Sequence, residues 1–106
     1  MSDYSLKSFV NDIQEVFDLN ATGIAGPETL LETITLSEVL NRKHPAIYII
    51  QRRLRSLGYD EVGKIDGIAN ARFTAAVKHF QANNGCHITG EVTARDKTWK
   101  KLLGME

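Results

Sequence analysis

The chain of 106 residues has one cysteine, two prolines, one tryptophan and no net charge. A single cysteine excludes an intrachain disulfide, and Cys86, set among turn residues, reads as a small apolar packing residue. No apolar run approaches the roughly 20 residues that span a bilayer, so no membrane segment is expected. The first twenty residues also lack the apolar core of a signal peptide. His44, His79, His87 and Cys86 are the only soft ligands, and no pair has a zinc spacing such as Cys-x-x-Cys or His-x-x-x-His. Neither a metal nor a cofactor is expected. No carboxylate pair, Gly-x-Ser-x-Gly or Cys-His arrangement is identifiable, so no catalytic residue is assigned and the chain reads as non-enzymatic.

The zero net charge hides an asymmetry. Residues 1–41 hold seven acidic side chains against one lysine, a net of −6, and residues 42–106 hold twelve basic against six acidic, a net of +6. Two solvated faces are one reading. The other is that the basic half meets an anionic polymer while the acidic half docks against it.

What is present is a set of amphipathic helices. From Ala46, the residues Ile47, Ile50, Leu54 and Leu57 recur at helical spacing, and Gly58 follows where a left-handed residue often ends a helix. Phe73, Ala76, Val77 and Phe80 mark a second helix that stops at Gly85. Thr93 and Asp96 are spaced like a capping box ahead of a third, which carries Trp99, Leu102 and Leu103 inward. Upstream, Leu6, Phe9, Val10, Ile13, Val16 and Phe17 share one face of a helix over 5–19. Gly26-Pro27 starts a short helix through about Ile34, and Thr35 with Glu38 frames another capping box for one or two more turns. Asn41 to Pro45 is polar and is the best linker candidate. The expected fold is all-α: a small bundle of about five helices closing around Leu54, Phe73, Val77, Phe80 and Trp99.

Several motifs now stand in a fixed order: Ile50-Gln51, Leu54, Leu57-Gly58-Tyr59, Asp66-Gly67-Ile68, Thr74 to Gln81, Gly90 and Lys97-Thr98-Trp99. In that order, over residues 46–103, the chain resembles the peptidoglycan-binding domain family of bacterial and phage cell-wall hydrolases, as found in N-acetylmuramoyl-L-alanine amidases. It departs from the family pattern where Ala69 to Thr74 replaces a Gly and a Lys-Thr, and where the link from Gly90 to Trp99 is longer. The resemblance implies a non-catalytic module that binds bacterial peptidoglycan and targets a covalently linked hydrolase domain of a longer parent, an amidase or other lysin. It implies a cell-wall or extracellular location, reached through a parent segment or phage lysis, with no nucleic-acid or membrane partner.

The chain also repeats itself. A shift of 67 aligns Leu6 with Phe73, Ile13-Gln14 with Phe80-Gln81 and Thr22-Gly23 with Thr89-Gly90, and a shift of 44 aligns Gly23-Ile24-Ala25 with Gly67-Ile68-Ala69. Residues 1–41 are therefore expected to be an incomplete repeat packed on one complete three-helix module, residues 42–106. Gln14, Gln51 and Gln81 recur at one position of the repeat, which predicts a shared hydrogen bond to a turn backbone.

A peptidoglycan ligand presents N-acetyl groups, peptide carbonyls and carboxylates, so its site needs donors beside an aromatic surface. The long loop and the following helix start gather Tyr59, Lys64, Asp66, Asn70 and Arg72, with Asn70 as the expected N-cap. Each has a plainer reading: Tyr59 covering the core edge, Lys64 solvated, and Asp66 holding the turn. Two other functions remain beside this one. A scaffold that has lost glycan binding needs only the fold, and a helix-turn-helix DNA binder would use Arg42, Lys43, Arg52, Arg53 and Arg55 on phosphates, though such a motif needs a turn of about three or four residues.

Overall fold

The computed structural model describes residues 4–106. Four α-helices carry the fold: α1 (Leu6–Val16), α2 (Pro45–Ser56), α3 (Ala71–Asn83) and α4 (Lys97–Leu102). Single 3-10 turns lie at Pro27–Leu30 and Asp60–Val62, and two short strands, β1 (Thr35–Leu36) and β2 (Val92–Thr93), form one antiparallel pair. The helix starts follow from local chemistry. The Ser5 hydroxyl accepts from the N–H of Ser8 at 3.1 Å, His44 Nδ1 accepts from the N–H of Ala46 at 3.0 Å, and Asn70 Oδ1 accepts from the N–H of Phe73 at 3.1 Å. Pro45 then occupies the first turn of α2, where a missing N–H costs nothing.

The apolar stripes close on one cluster that includes Phe9 and Ile13 of α1, Ile47, Ile50 and Leu54 of α2, Phe73 and Val77 of α3, and Trp99 of α4. Trp99 meets Phe9 edge to face, with centroids 6.3 Å apart and planes at 67°. It is 1% exposed.

Local signals fail at four places. The helix begun at Pro27 ends at Leu30 instead of continuing to Ile34, because Leu31 takes a left-handed φ of 67°. The turns expected after Thr35 are instead β1, which pairs Thr35 with Thr93 and Leu36 with Val92. Leu36 and Val92 are thereby buried, and the Ser37 hydroxyl closes the following turn by accepting from the N–H groups of Val39 and Leu40. The Thr93–Asp96 capping box does not form: Thr93 belongs to β2, and α4 starts after Asp96 with no side-chain cap. Leu57, placed inward by spacing, is 41% exposed because α2 has ended one residue earlier.

Three buried glutamines each clamp one turn in the same way. Gln14 Oε1 accepts from the N–H groups of Thr22 and Gly23, Gln51 Oε1 from those of Asp66 and Gly67, and Gln81 Oε1 from those of Thr89 and Gly90, all at 2.8–3.0 Å. The Nε2 groups donate to the carbonyls of Ile24, Ile68 and Glu91, each at 3.1 Å. Each clamp reads two N–H groups and one C=O of a turn whose glycine has φ of 76°, 78° or 76°. The shared bond expected for the recurring glutamines is thus present three times.

Two glycine substitutions separate backbone strain from crowding. At Gly58 (φ 96°) an added Cβ meets nothing within 4 Å, so Gly58→Ala carries only the left-handed backbone cost, about 1 kcal/mol. At Gly90 the Cβ would lie 2.6 Å from Thr74 Cγ2, adding a clash. Gly90→Ala should therefore lower the urea unfolding free energy by about 2–3 kcal/mol. Equal losses at the two positions would contradict this account.

Candidate functional site

The loop between α2 and α3, residues 57–70, is held from both ends. Gln51 fixes Asp66 and Gly67 from below, and Val62, fully buried, pins the 3-10 turn to the core. Arg55 of α2 donates to the carbonyl of Gly63, and the stem of Arg72 lies against Gly63, where a Cβ would meet Arg72 Cδ at 2.7 Å. Glu61 bonds His79 Nδ1 of α3 at 2.6 Å. The hydrogen bond from His79 is the chief reason that the Glu61 carboxyl titrates below its ordinary value.

The five residues expected at the site divide by role. The ring of Tyr59 is 9% exposed and packs edge-on against His79 and Phe80 at 4.9 and 5.7 Å, while its hydroxyl accepts from Asn83 Nδ2 at 3.1 Å. Asn70 caps α3. Asp66 Oδ1 accepts from the N–H of Ile68 at 3.0 Å and from Gln51 Nε2 at 3.2 Å. Those two bonds, the backbone one first, hold its carboxyl below its ordinary value, with a further contribution from nearby Lys64. Lys64 and Arg72 are exposed, and the Arg72 guanidinium lies over Gly63, where a Cβ would meet its Nη1 at 3.3 Å.

The plainer reading of Asp66 has direct support within the molecule. Thr22 and Thr89 occupy the same place in the other two clamped turns, and their hydroxyls likewise accept from the N–H two residues on, at 3.2 and 3.1 Å. A side-chain oxygen is needed there, and acidity is not. Asp66→Thr should then stay within about 0.5–1 kcal/mol of wild type, and Asp66→Ala should lose about 1–2 kcal/mol, measured by urea denaturation. A larger loss for threonine than for alanine would overturn this role.

Two features beside the loop escape a local reading. The polar stretch 41–45 lies along it as an antiparallel bridge between Lys43 and Ile68. The Ala69 N–H donates to Arg42 C=O at 2.8 Å, Arg42 Nε donates to Ala69 C=O at 3.2 Å, and the His44 N–H donates to Gly67 C=O at 3.2 Å. Arg42 and Lys43 are therefore exposed cations bordering the same loop as Lys64 and Arg72. The exposed aromatic side chain here is Tyr48, 44% accessible, whose Cβ would stand 3.7 Å from a Cβ at position 67. The loop and the segments bordering it thus offer four cationic donors and an aromatic ring. Lys64 and Arg72 are expected here from the sequence, whereas Arg42, Lys43 and Tyr48 are not.

The arginines of α2 are committed elsewhere. Arg52 lies over the Tyr4 ring at 4.0 Å, Arg53 lies over Phe9 at 5.5 Å and donates to Leu102 C=O at 3.1 Å, and Arg55 holds Gly63. Burial lowers the pKa of Arg53. The long connection 57–70 between α2 and α3 is not the short turn of a helix-turn-helix. Among the described residues no group of three His, Cys, Asp or Glu could hold a metal ion, and no helix is long and apolar enough to cross a membrane.

His44 links the site to pH. Its Nδ1 must be unprotonated to accept from Ala46, and burial, which includes stacking on Phe17, lowers its pKa. A lowered folded pKa means that the neutral form is favoured by folding. The cap's stability is complete above the ordinary histidine pKa and is lost as pH falls through the lower folded value. His44→Asn keeps a capping oxygen and should remove the histidine part of the decline in urea midpoint from neutral to mildly acidic pH. An unchanged decline in the variant would show that His44 is not its source.

Comparison with known proteins gives one family. No curated protein and no solved structure matches the chain. The family model described as "Putative peptidoglycan binding domain" matches residues 43–102, which run from the Lys43 bridge through α2, the cationic loop and α3 to the end of α4. That is more than half of the sequence, and the chain belongs to the peptidoglycan-binding domain family.

Proposed function

We infer that this chain is a non-catalytic wall-binding module that brings a linked hydrolase, an amidase or other lysin in a longer parent, to bacterial peptidoglycan at the cell wall or outside the cell. The observation that carries the reading is the family match over 43–102, which contains the loop 57–70 and all of its bordering cations except Arg42. Carboxylates and carbonyls of the wall polymer meet Lys64, Arg72, Arg42 and Lys43 as charge-assisted donors, and Tyr48 supplies a face for sugar or peptide methyl groups. Asp66 and Asn70 set the shape of the loop, and Tyr59 anchors it. Residues 1–41 act as an incomplete repeat that packs on the module of residues 42–106, a reading supported by the glutamine clamp at Gln14 and by Phe9 and Ile13 in the common core.

The test is sedimentation with purified sacculi. A Lys64→Ala, Arg72→Ala double variant, whose side chains are exposed, should keep its unfolding midpoint and bind about tenfold more weakly, as the loss of one or two charge-assisted bonds implies. Equal binding by the variant would move the site off this loop. The 106-residue protein should leave the turbidity of a cell-wall suspension unchanged, and clearing of the suspension would refute the non-catalytic role.

A further inference from the structure

A cleft of about 420 Å³, walled mainly by N-terminal residues outside the matched family segment, is left unused by the peptidoglycan-binding loop. Phe17, Leu31 and Ile34 give it an apolar surface, and Glu28, Glu32 and Arg95 bring two carboxylates and one guanidinium to its lining. Its walls come from distant parts of the chain and are fastened by three hydrogen bonds. Trp99 Nε1 donates to Thr29 C=O at 2.9 Å, the Ala94 N–H donates to Ile34 C=O at 2.8 Å, and Arg95 Nη1 donates to Leu31 C=O at 2.5 Å. On the Phe17 side the ring stacks on His44, with centroids 5.6 Å apart and planes at 24°. The cleft is therefore preformed, and its volume lies in the range of small-ligand sites.

The charges in it are not paired with one another or with other ionic side chains among the described residues. Among the described residues the ion pairs are Arg52–Asp12, His79–Glu61 and Lys100–Glu106, so Glu28, Glu32 and Arg95 belong to none. Arg95 uses one N–H for Leu31, and a guanidinium has five. A neutral sugar would leave all three charges unmatched, and a purely anionic ligand would face two carboxylates. The complementary ligand carries a cation and an anion, joined by an aliphatic stretch that can lie on Phe17, Leu31 and Ile34.

We propose that this cleft binds an amino-acid residue with a primary ammonium on an aliphatic stem and a free carboxylate nearby, the chemistry of the C-terminal diamino acid of a peptidoglycan tripeptide stem. The ammonium sits at Glu28 and Glu32, the carboxylate takes the free N–H groups of Arg95, and the methylenes cover the apolar surface. The ligand's chemical class follows from the cleft, and its identity as a wall peptide rests on the peptidoglycan reading. The module then has two contacts with the wall, a cationic loop and a peptide cleft.

The probe is the synthetic tripeptide L-Ala-γ-D-Glu-L-Lys, titrated into the ¹⁵N-labelled chain, with its Nε-acetylated form as control. Saturable shifts are expected at Phe17, Glu28 to Ile34 and Arg95, with about tenfold weaker binding for the acetylated peptide. Glu28→Gln, Glu32→Gln should weaken the free peptide by a similar factor and remove the preference over the acetylated one. Both carboxylates are exposed, so folding should survive. Equal affinity for the two peptides, shifts confined to residues 57–72, or no saturable shift would each overturn the cleft assignment. Sacculi sedimentation separates the two readings. Retention on sacculi without cleft shifts overturns the cleft alone, cleft shifts without retention support the cleft and overturn wall targeting, and failure of both overturns both.

Discussion

Replacing Trp99 by alanine should lower the unfolding free energy by about 3–5 kcal/mol, the cost of truncating a fully buried large aromatic. Three losses combine at this residue. The cavity would open at the centre of the cluster, the edge contact with Phe9 would go, and the carbonyl of Thr29 would lose the indole N–H at 2.9 Å. That bond joins α4 to the 3-10 turn at Pro27–Leu30, so the N-terminal segment should loosen with the core. Trp99→Phe keeps most of the volume and removes the hydrogen bond, and should cost about 1–2 kcal/mol. Urea denaturation followed by far-UV circular dichroism measures both. A loss under about 1 kcal/mol for the alanine variant would contradict the core role that its burial implies.

Gln81→Ala should be the second large effect, at about 2–4 kcal/mol. Its amide accepts from the N–H groups of Thr89 and Gly90 and donates to Thr89 Oγ1, Glu91 C=O and Thr98 Oγ1, at 2.9–3.1 Å. Gly90 and Thr98 are buried, so water does not readily replace the lost partner there, and an orphaned buried group costs about 1–3 kcal/mol. Gln51 makes the equivalent clamp on a more open turn, where Asp66 and Gly67 are both partly exposed. Gln51→Ala should therefore cost less, about 1–2 kcal/mol. If the two glutamines cost the same, or if Gln51 cost more, exposure of the turn would not be what sets the scale.

What the sequence disclosed was whatever is decided within a turn or two of chain. Asn70 is legible as a cap because a short polar side chain before a helix has one obvious N–H to satisfy. The glutamines are legible because an amide on an apolar helix face must find backbone partners, and the spacing to each glycine turn supplies them. Trp99 follows from the stripe on its own helix. The failures have partners far away in sequence. Thr35 and Leu36 look like a helix start until Val92 and Thr93 pair with them, and Leu31 ends its helix where Arg95 donates to its carbonyl.

The candidate site was half legible for the same reason. Loop position and charge point to Lys64 and Arg72 directly. Tyr59 looks exposed beside a glycine, yet the chain turns its ring onto Phe80 and His79. Tyr48 could have been found, since it lies off the Ile47–Ile50–Leu54 stripe and so faces solvent, but its place beside Gly67 depends on the His44–Gly67 bond. Arg42 and Lys43 look like a linker until the bridge to Ile68 draws them to the loop.

The central claim is that this chain holds bacterial peptidoglycan with its cationic loop and without chemistry. Its most direct test is a depletion isotherm of the purified protein on teichoic-acid-free sacculi at physiological salt, with cellulose and duplex DNA as parallel sorbents. Saturable depletion by sacculi, weak depletion by cellulose and DNA, and recovery of intact sacculi and protein are the predicted result. Failure to deplete on sacculi, or equal depletion by DNA, would contradict it.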